Sequence, residues 1–159
     1  MEETTSSQNR PKVTLIFGRI CSGKGSYLKD ADCRIVVSDI VKFILKSEDR
    51  TVLQNSLDLD NQIASRLLYS LDSALAVFNN VVVDGIRQVS ILERILIAYP
   101  DAEMIWLEVS TEERKRRYEN RKDKKDIEPF EVADNKPIEL ECQNIFSTFK
   151  DRLTIVNNY

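Results

Sequence analysis

One stretch constrains the fold of this chain more than any other: Gly18-Arg19-Ile20-Cys21-Ser22-Gly23-Lys24-Gly25-Ser26. It follows an apolar run, Val13-Thr14-Leu15-Ile16-Phe17, and fits the pattern Gly-x-x-x-x-Gly-Lys. Gly25 stands where Ser or Thr is usual, and Ser26 comes one place later. The pattern has a physical meaning. A strand delivers the chain to a turn whose glycines let backbone N–H groups curl around an anion. The helix that follows aims its N-terminal dipole at that anion. Lys24 adds a mobile positive charge for the outer phosphates. The alternative is a turn with Lys24 merely exposed. The apolar strand before the loop and the helix-compatible Ser-Tyr-Leu-Lys after it favour a nucleoside triphosphate. Gly18, Cys21, Ser22, Gly23, Lys24, Gly25 and Ser26 are its candidate ligands.

Composition narrows the chemistry. The 159 residues contain no histidine, which removes His-based acid–base work, Ser-His and Cys-His nucleophiles and most zinc sites. The three cysteines, Cys21, Cys33 and Cys142, form neither a CxxC pair nor a disulfide framework, which points to a reducing cytoplasm. Cys21 reads as a small side chain tolerated in the loop rather than as an activated thiol. The formal net charge of −3 argues against nonspecific coating of nucleic acid but leaves room for a local basic patch. No apolar run reaches membrane-spanning length, and residues 1–11 read as a solvated tail before a single domain over 12–159.

Five strands are predicted, at Val13–Phe17, Arg34–Val37, Val81–Val83, Glu103–Val109 and Leu153–Val156. Ile63, Leu67, Leu71 and Leu75 recur every four residues and predict a helix from about Leu57 to Phe78. A second helix spans Val89 to Ile97 and stops before Pro100. Alternating strands and helices give an α/β domain with a parallel sheet. Residues 122–137 form a long polar interruption, either a lid or a surface loop.

Ligands of open parallel sheets bind beyond the C-terminal ends of the strands. After the second strand comes Ser38-Asp39-Ile40-Val41-Lys42. Ser38 or Asp39 caps the next helix, or Asp39 takes the proton of an attacking hydroxyl with Lys42 one turn further on. After the third comes Asp84-Gly85-Ile86-Arg87. Asp84 is either a turn residue or a carboxylate for a magnesium hydration shell, and Arg87 has a fork suited to phosphate oxygens. After the fourth, Ser110 or Thr111 caps a charged helix. On it Arg114, Arg117 and Arg121 share one face. Arg117 and Arg121 are read as stabilising a transferred phosphoryl. Arg114, Lys115, Arg116, Lys122, Lys124 and Lys125 are read as solvated surface or a weak nucleic-acid contact.

Taken together, these segments resemble the P-loop nucleoside monophosphate kinase superfamily. Gly-Lys-Gly-Ser is similar to the adenylate-kinase form of the loop, which accounts for Gly25. Ser38-Asp39-Ile40-Val41-Lys42 is similar to the family's Gly-Asp-Leu-Leu-Arg, with lysine for the acceptor-binding arginine. Asp84-Gly85-Ile86-Arg87 is similar to Asp-Gly-Tyr-Pro-Arg, one residue shorter. Arg117 and Arg121 resemble the arginines that open a lid (about 117–137), and Leu153–Asn158 resembles the last strand and its Asn. The resemblance implies a three-layer α/β/α fold with a five-stranded parallel sheet in the order 2-3-1-4-5. It implies ATP as phosphate donor with Mg2+. Lys24, Asp39, Arg117 and Arg121 would be catalytic; Arg117 and Arg121 would also bind ATP; Asp39, Lys42 and Arg87 would bind the acceptor; Ser26 and Asp84 would place the metal.

By its size, its phosphate loop and its Ser38-Asp39-Ile40-Val41 segment, the chain looks most like small phage kinases that phosphorylate 5-hydroxymethyluracil within DNA. The expected partner is then DNA containing modified thymine. A deoxynucleoside monophosphate is the alternative acceptor, and a nucleotide-binding regulator or small switch ATPase is the reading from another class.

Overall fold

The computed structural model describes residues 11–28, 30–47, 56–120 and 129–158. In chain order the elements are β1 (Lys12–Phe17), β2 (Cys33–Val36), α1 (Val37–Ser47), α2 (Ser56–Leu75), β3 (Asn80–Asp84), α3 (Val89–Ala98), β4 (Glu103–Glu108), α4 (Thr111–Glu119), α5 (Phe130–Asp134), α6 (Pro137–Phe149) and β5 (Thr154–Asn157).

The five strands make one sheet in the order β2-β3-β1-β4-β5. Every pairing is parallel. β1 is central: Leu15 pairs with Val83 on one side and with Met104 on the other. This is the topology the resemblance implies. Strands covered on both faces need continuous apolar runs, and Val81-Val82-Val83 and Met104–Leu107 supply them.

Side chains alternate across the sheet and so divide the core in two. Leu15, Phe17, Val83 and Trp106 face one layer, against Ile63, Leu67 and Leu71 of α2, Ile91, Leu92 and Ile95 of α3, and Ile145 of α6. Leu67 and Leu71 are fully buried. Each such leucine contributes roughly 1.5–3 kcal/mol relative to an exposed one. Ile16, Val82, Ile105 and Leu107 face the other way, against Tyr27, Ala31 and Val156. α3 ends where Tyr99 N bonds Ile95 O ahead of Pro100, and α6 begins on Pro137, whose missing N–H costs nothing there.

The structure corrects several expected boundaries. Val37 belongs to α1 and not to β2, so neither Ser38 nor Asp39 is the helix cap; both sit inside its first turn. α2 ends at Leu75, and Val77 beyond it is 76% exposed. β4 stops at Glu108, and β5 starts one residue later than expected. The residues after the glycine-rich loop form turns rather than the expected helix. Ser26 N and Tyr27 N both bond Gly23 O, and Leu28 takes φ 53°. Arg34 explains this. Its guanidinium donates to Lys24 O at 3.1 Å and also to Tyr27 O. Carbonyls that a continuing helix would use internally are thus held from β2.

Candidate functional site

Beyond the C-terminal ends of β1, β2 and β3 lies a cavity of about 700 Å³. Loop residues 21–25 form one wall, Val36, Ser38, Val41 and Lys42 a second, and Asp84, Gly85, Arg87 and Gln88 a third. Arg117 reaches it from α4.

The loop curves because two of its residues take left-handed conformations, Cys21 at φ 62° and Gly23 at φ 90°. Gly23 is doubly constrained, since an added Cβ would collide with Asn158 Nδ2. That amide donates to Ser22 O at 2.8 Å and pins the loop to the end of β5. Gly25 differs: nothing lies within 4 Å of a Cβ built there. The protein's own packing therefore does not require glycine at position 25.

Lys24 lies over its own loop. Its Nζ donates to Gly18 O at 2.9 Å and to Arg19 O at 3.2 Å. Burial pushes its pKa below the ordinary lysine value, and repulsion from Arg87 adds to that. Below the loop Cys142 Sγ contacts Gly18 O at 3.6 Å, and burial raises that thiol's pKa.

Each of the charges on the third wall has an internal partner. Asp84 Oδ2 pairs with Arg34 Nη1 at 3.3 Å. Arg87 Nη1 pairs with Glu139 Oε2 at 2.8 Å. The other Glu139 oxygen accepts Ile20 N at 2.7 Å, so one buried carboxylate joins the loop backbone to Arg87. Arg117 donates Nη1 to Cys21 O at 3.2 Å, Nη2 to Asn158 O at 2.9 Å and Nε to Glu113 at 2.9 Å. Glu113 also accepts from Arg116, and the two guanidiniums hold its carboxyl down to about 2.

Arg114 is not the solvated side chain expected from its charged helix. It is buried, with Nη1 at 2.6 Å from Asp134 Oδ1 and its guanidinium 5.5 Å from the Phe130 ring centroid. Asp134 also pairs with Arg19 at 3.0 Å. α5 is thereby clamped to the loop from outside the cavity, where Tyr118, Phe130 and Ala133 pack on Ile20 and Cys21.

Cys21, Ser22, Gly23, Lys24, Gly25, Lys42, Asp84, Arg87 and Arg117 thus meet around one cavity. Asp39 and Ser26 are exposed and are not part of its wall. Gly18 is buried at the base of the loop, where a side chain would strike Ser22 Oγ. Arg121 lies outside the described residues, as do Lys122, Lys124 and Lys125. Sequence reasoning missed Arg34, Asp134 and Glu139. None carries a motif: Arg34 lies in a segment read as strand, Asp134 in one read as lid or loop, and Glu139 in a segment given no predicted element.

Among the described residues no three His, Cys, Asp or Glu side chains group to hold a metal. Nor is any described helix long and apolar enough to cross a membrane.

No family model matches the sequence, and no curated protein does. Among solved structures the chain is similar to shikimate kinase from Bacteroides thetaiotaomicron, with a TM-score of 0.52 and 12% identity over 92% of this chain and 86% of that one. A likeness at that identity is one of fold, and with the strand order and the loop it places this chain in the P-loop kinase α/β fold.

Proposed function

We propose that this protein is an ATP-dependent phosphotransferase that moves the γ-phosphoryl of ATP to the hydroxymethyl group of 5-hydroxymethyluracil in DNA. The observation that carries the kinase reading is the convergence of Lys24, Asp84, Arg87 and Arg117 on one cavity beside a left-handed glycine loop. The loop amides and Lys24 hold the β- and γ-phosphates, and Arg117 steadies charge on the group in transit. Lys42 and Arg87 hold the acceptor.

Magnesium takes one or two carboxylates plus phosphate oxygens and keeps several waters, so a lone wall carboxylate suits it. Asp84 would hold it, with Ser26 as the expected second ligand, and the ion would offset negative charge on the phosphates. Catalysis of this kind is positioning and electrostatics, which a chain without histidine can perform.

A second acceptor is favoured by one observation. Among the described residues the only carboxylate on the cavity wall, Asp84, is already paired with Arg34, while Lys42 and Arg87 are both cationic. That suits an acceptor already ionised, a deoxynucleoside monophosphate. A hydroxyl acceptor instead needs a base, and Asp39, in the first turn of α1, is the candidate.

Transfer of label from γ-labelled ATP decides between them. Hydroxymethylated DNA, dTMP, dCMP and no acceptor are compared with wild type, Lys24→Ala and Asp39→Asn. The DNA-kinase reading expects label in the DNA and a large loss in Asp39→Asn with ATP affinity retained. Label in dTMP or dCMP alone overturns that acceptor. A Lys24→Ala variant with near wild-type turnover overturns the kinase reading itself, since the loss expected is on the order of a thousandfold.

A further inference from the structure

We propose that the exposed face of α1 that leads away from the cavity is a docking track for a single DNA strand. The proposal deepens the acceptor reading above and rests on it only for the chemistry at the track's inner end.

Asp39, Lys42, Phe43 and Lys46 fall at i, i+3, i+4 and i+7 and therefore share one face of α1. All four are exposed. Lys42 is also part of the cavity wall, so the face and the cavity are continuous. Phe43 is 51% exposed, and Arg66 of α2 stacks over it with Cζ 4.5 Å from the ring centroid. Tyr69, one turn beyond Arg66, is 74% exposed. An aromatic–guanidinium pair beside lysines is the arrangement on which nucleobases stack while their phosphates are neutralised.

Two further points favour a nucleic acid over an idle surface. Elsewhere Lys12 pairs with Glu103, Lys115 with Glu131 and Arg116 with Glu113, while Arg94, Lys150 and Arg152 have no carboxylate partner among the described residues and do not sit beside an exposed aromatic–guanidinium stack that adjoins the cavity. Lys42, Lys46 and Arg66 have no ion-pair partner among the described residues, and they gather on a chain whose net charge is −3. The face also extends past anything a mononucleotide in the cavity would touch. A free nucleotide held by Lys42 leaves Phe43, Lys46 and Arg66 unused, whereas a strand whose target base enters the cavity passes its neighbouring nucleotides over them.

The test is anisotropy of a fluorescein-labelled single-stranded oligonucleotide, titrated without ATP at several salt concentrations. Wild type is compared with Phe43→Ala, Lys46→Gln, Arg66→Gln and, as a control at the opposite end of β1 from the cavity, the exposed Lys12→Gln. Phe43→Ala is expected to weaken binding about tenfold, in line with loss of one base–aromatic stack. Lys46→Gln is expected to lower the slope of log affinity against log salt by about 0.7, in line with one fewer phosphate contact on a single strand. Lys12→Gln is expected to bind like wild type. All replaced track residues are exposed, so melting curves should coincide, and Arg66→Gln gives an independent reading if one variant does not fold. Binding that is absent, insensitive to salt, or unchanged within twofold in Phe43→Ala and Lys46→Gln overturns the track. A protein that phosphorylates free mononucleotides but fails here keeps the kinase reading and loses the track. One that binds the strand but never transfers phosphate keeps the track and loses the kinase reading.

Discussion

Glu139 and Arg87 form an ion pair at 2.8 Å in which the carboxylate also accepts the Ile20 amide at 2.7 Å. One buried acid on α6 therefore sets the position of Arg87 and of the glycine-rich loop together. Glu139→Gln keeps an acceptor oxygen for Ile20 and removes the charge opposite Arg87. A stability loss of about 1–3 kcal/mol is expected, as for a charged hydrogen bond broken in a buried setting. It should appear as a lower urea midpoint with an unchanged m-value. In the kinase assay the acceptor KM should rise more than the ATP KM, and Arg87→Ala should abolish the difference between Glu and Gln at 139.

Asp134 offers a harsher test of the clamp outside the cavity. It pairs with Arg19 at 3.0 Å and with Arg114 at 2.6 Å. Asp134→Ala leaves a buried Arg114 without its counter-charge and is expected to cost about 3–5 kcal/mol. Surface Glu131→Ala, which only loses Lys115, should stay within about 1 kcal/mol. Equilibrium denaturation of the two variants side by side checks both values, and equal losses would remove the clamp.

Gly23 and Gly25 should differ in their sensitivity to alanine. At Gly23 the left-handed backbone and the collision with Asn158 act together, and a loss of at least about 1–2 kcal/mol is expected. At Gly25 there is open space, so Gly25→Ala should melt within about 0.5 kcal/mol of wild type. If an anion approaches the backbone there, the same variant should bind ATP more weakly by calorimetry. Unchanged affinity would remove Gly25 from the ligand set.

The depressed pKa of Lys24 gives a pH prediction. An unfolded lysine titrates near 10.5, and the folded value lies below that. At lower pH both states carry the charge, and the folded state bears the cost of burying it. As pH rises between the folded value and 10.5, the folded state sheds the proton first and that cost is relieved. Stability of wild type relative to Lys24→Met should therefore rise through this alkaline window, as measured by urea denaturation at stepped pH. A gap that stays constant or widens against wild type would contradict the buried-charge assignment.

Much of the site was legible because its signals are local. The loop spans a few consecutive residues, and Asp84 and Arg87 directly follow an apolar strand. Both rest on periods and turns that the backbone imposes within a short window. The expected helix after the loop failed because its competitor, Arg34, comes from β2 and takes the carbonyls of Lys24 and Tyr27. Arg114 was misread for a related reason. A helix of arginines, lysines and glutamates looks solvated until Asp134 and Phe130, distant in sequence, close over one of its members.

The chain alone thus specified a parallel α/β sheet and a left-handed glycine loop at its C-terminal edge, since apolar strand runs and a glycine loop act over neighbouring residues. Folding decided which charges are held and by what. Lys24 rests on its own loop carbonyls, Arg34 neutralises Asp84, and Glu139 and Asp134 brace the loop from α6 and α5. Whether a charged side chain is desolvated and paired depends on segments that meet only when the sheet is complete, and no local pattern encodes that meeting.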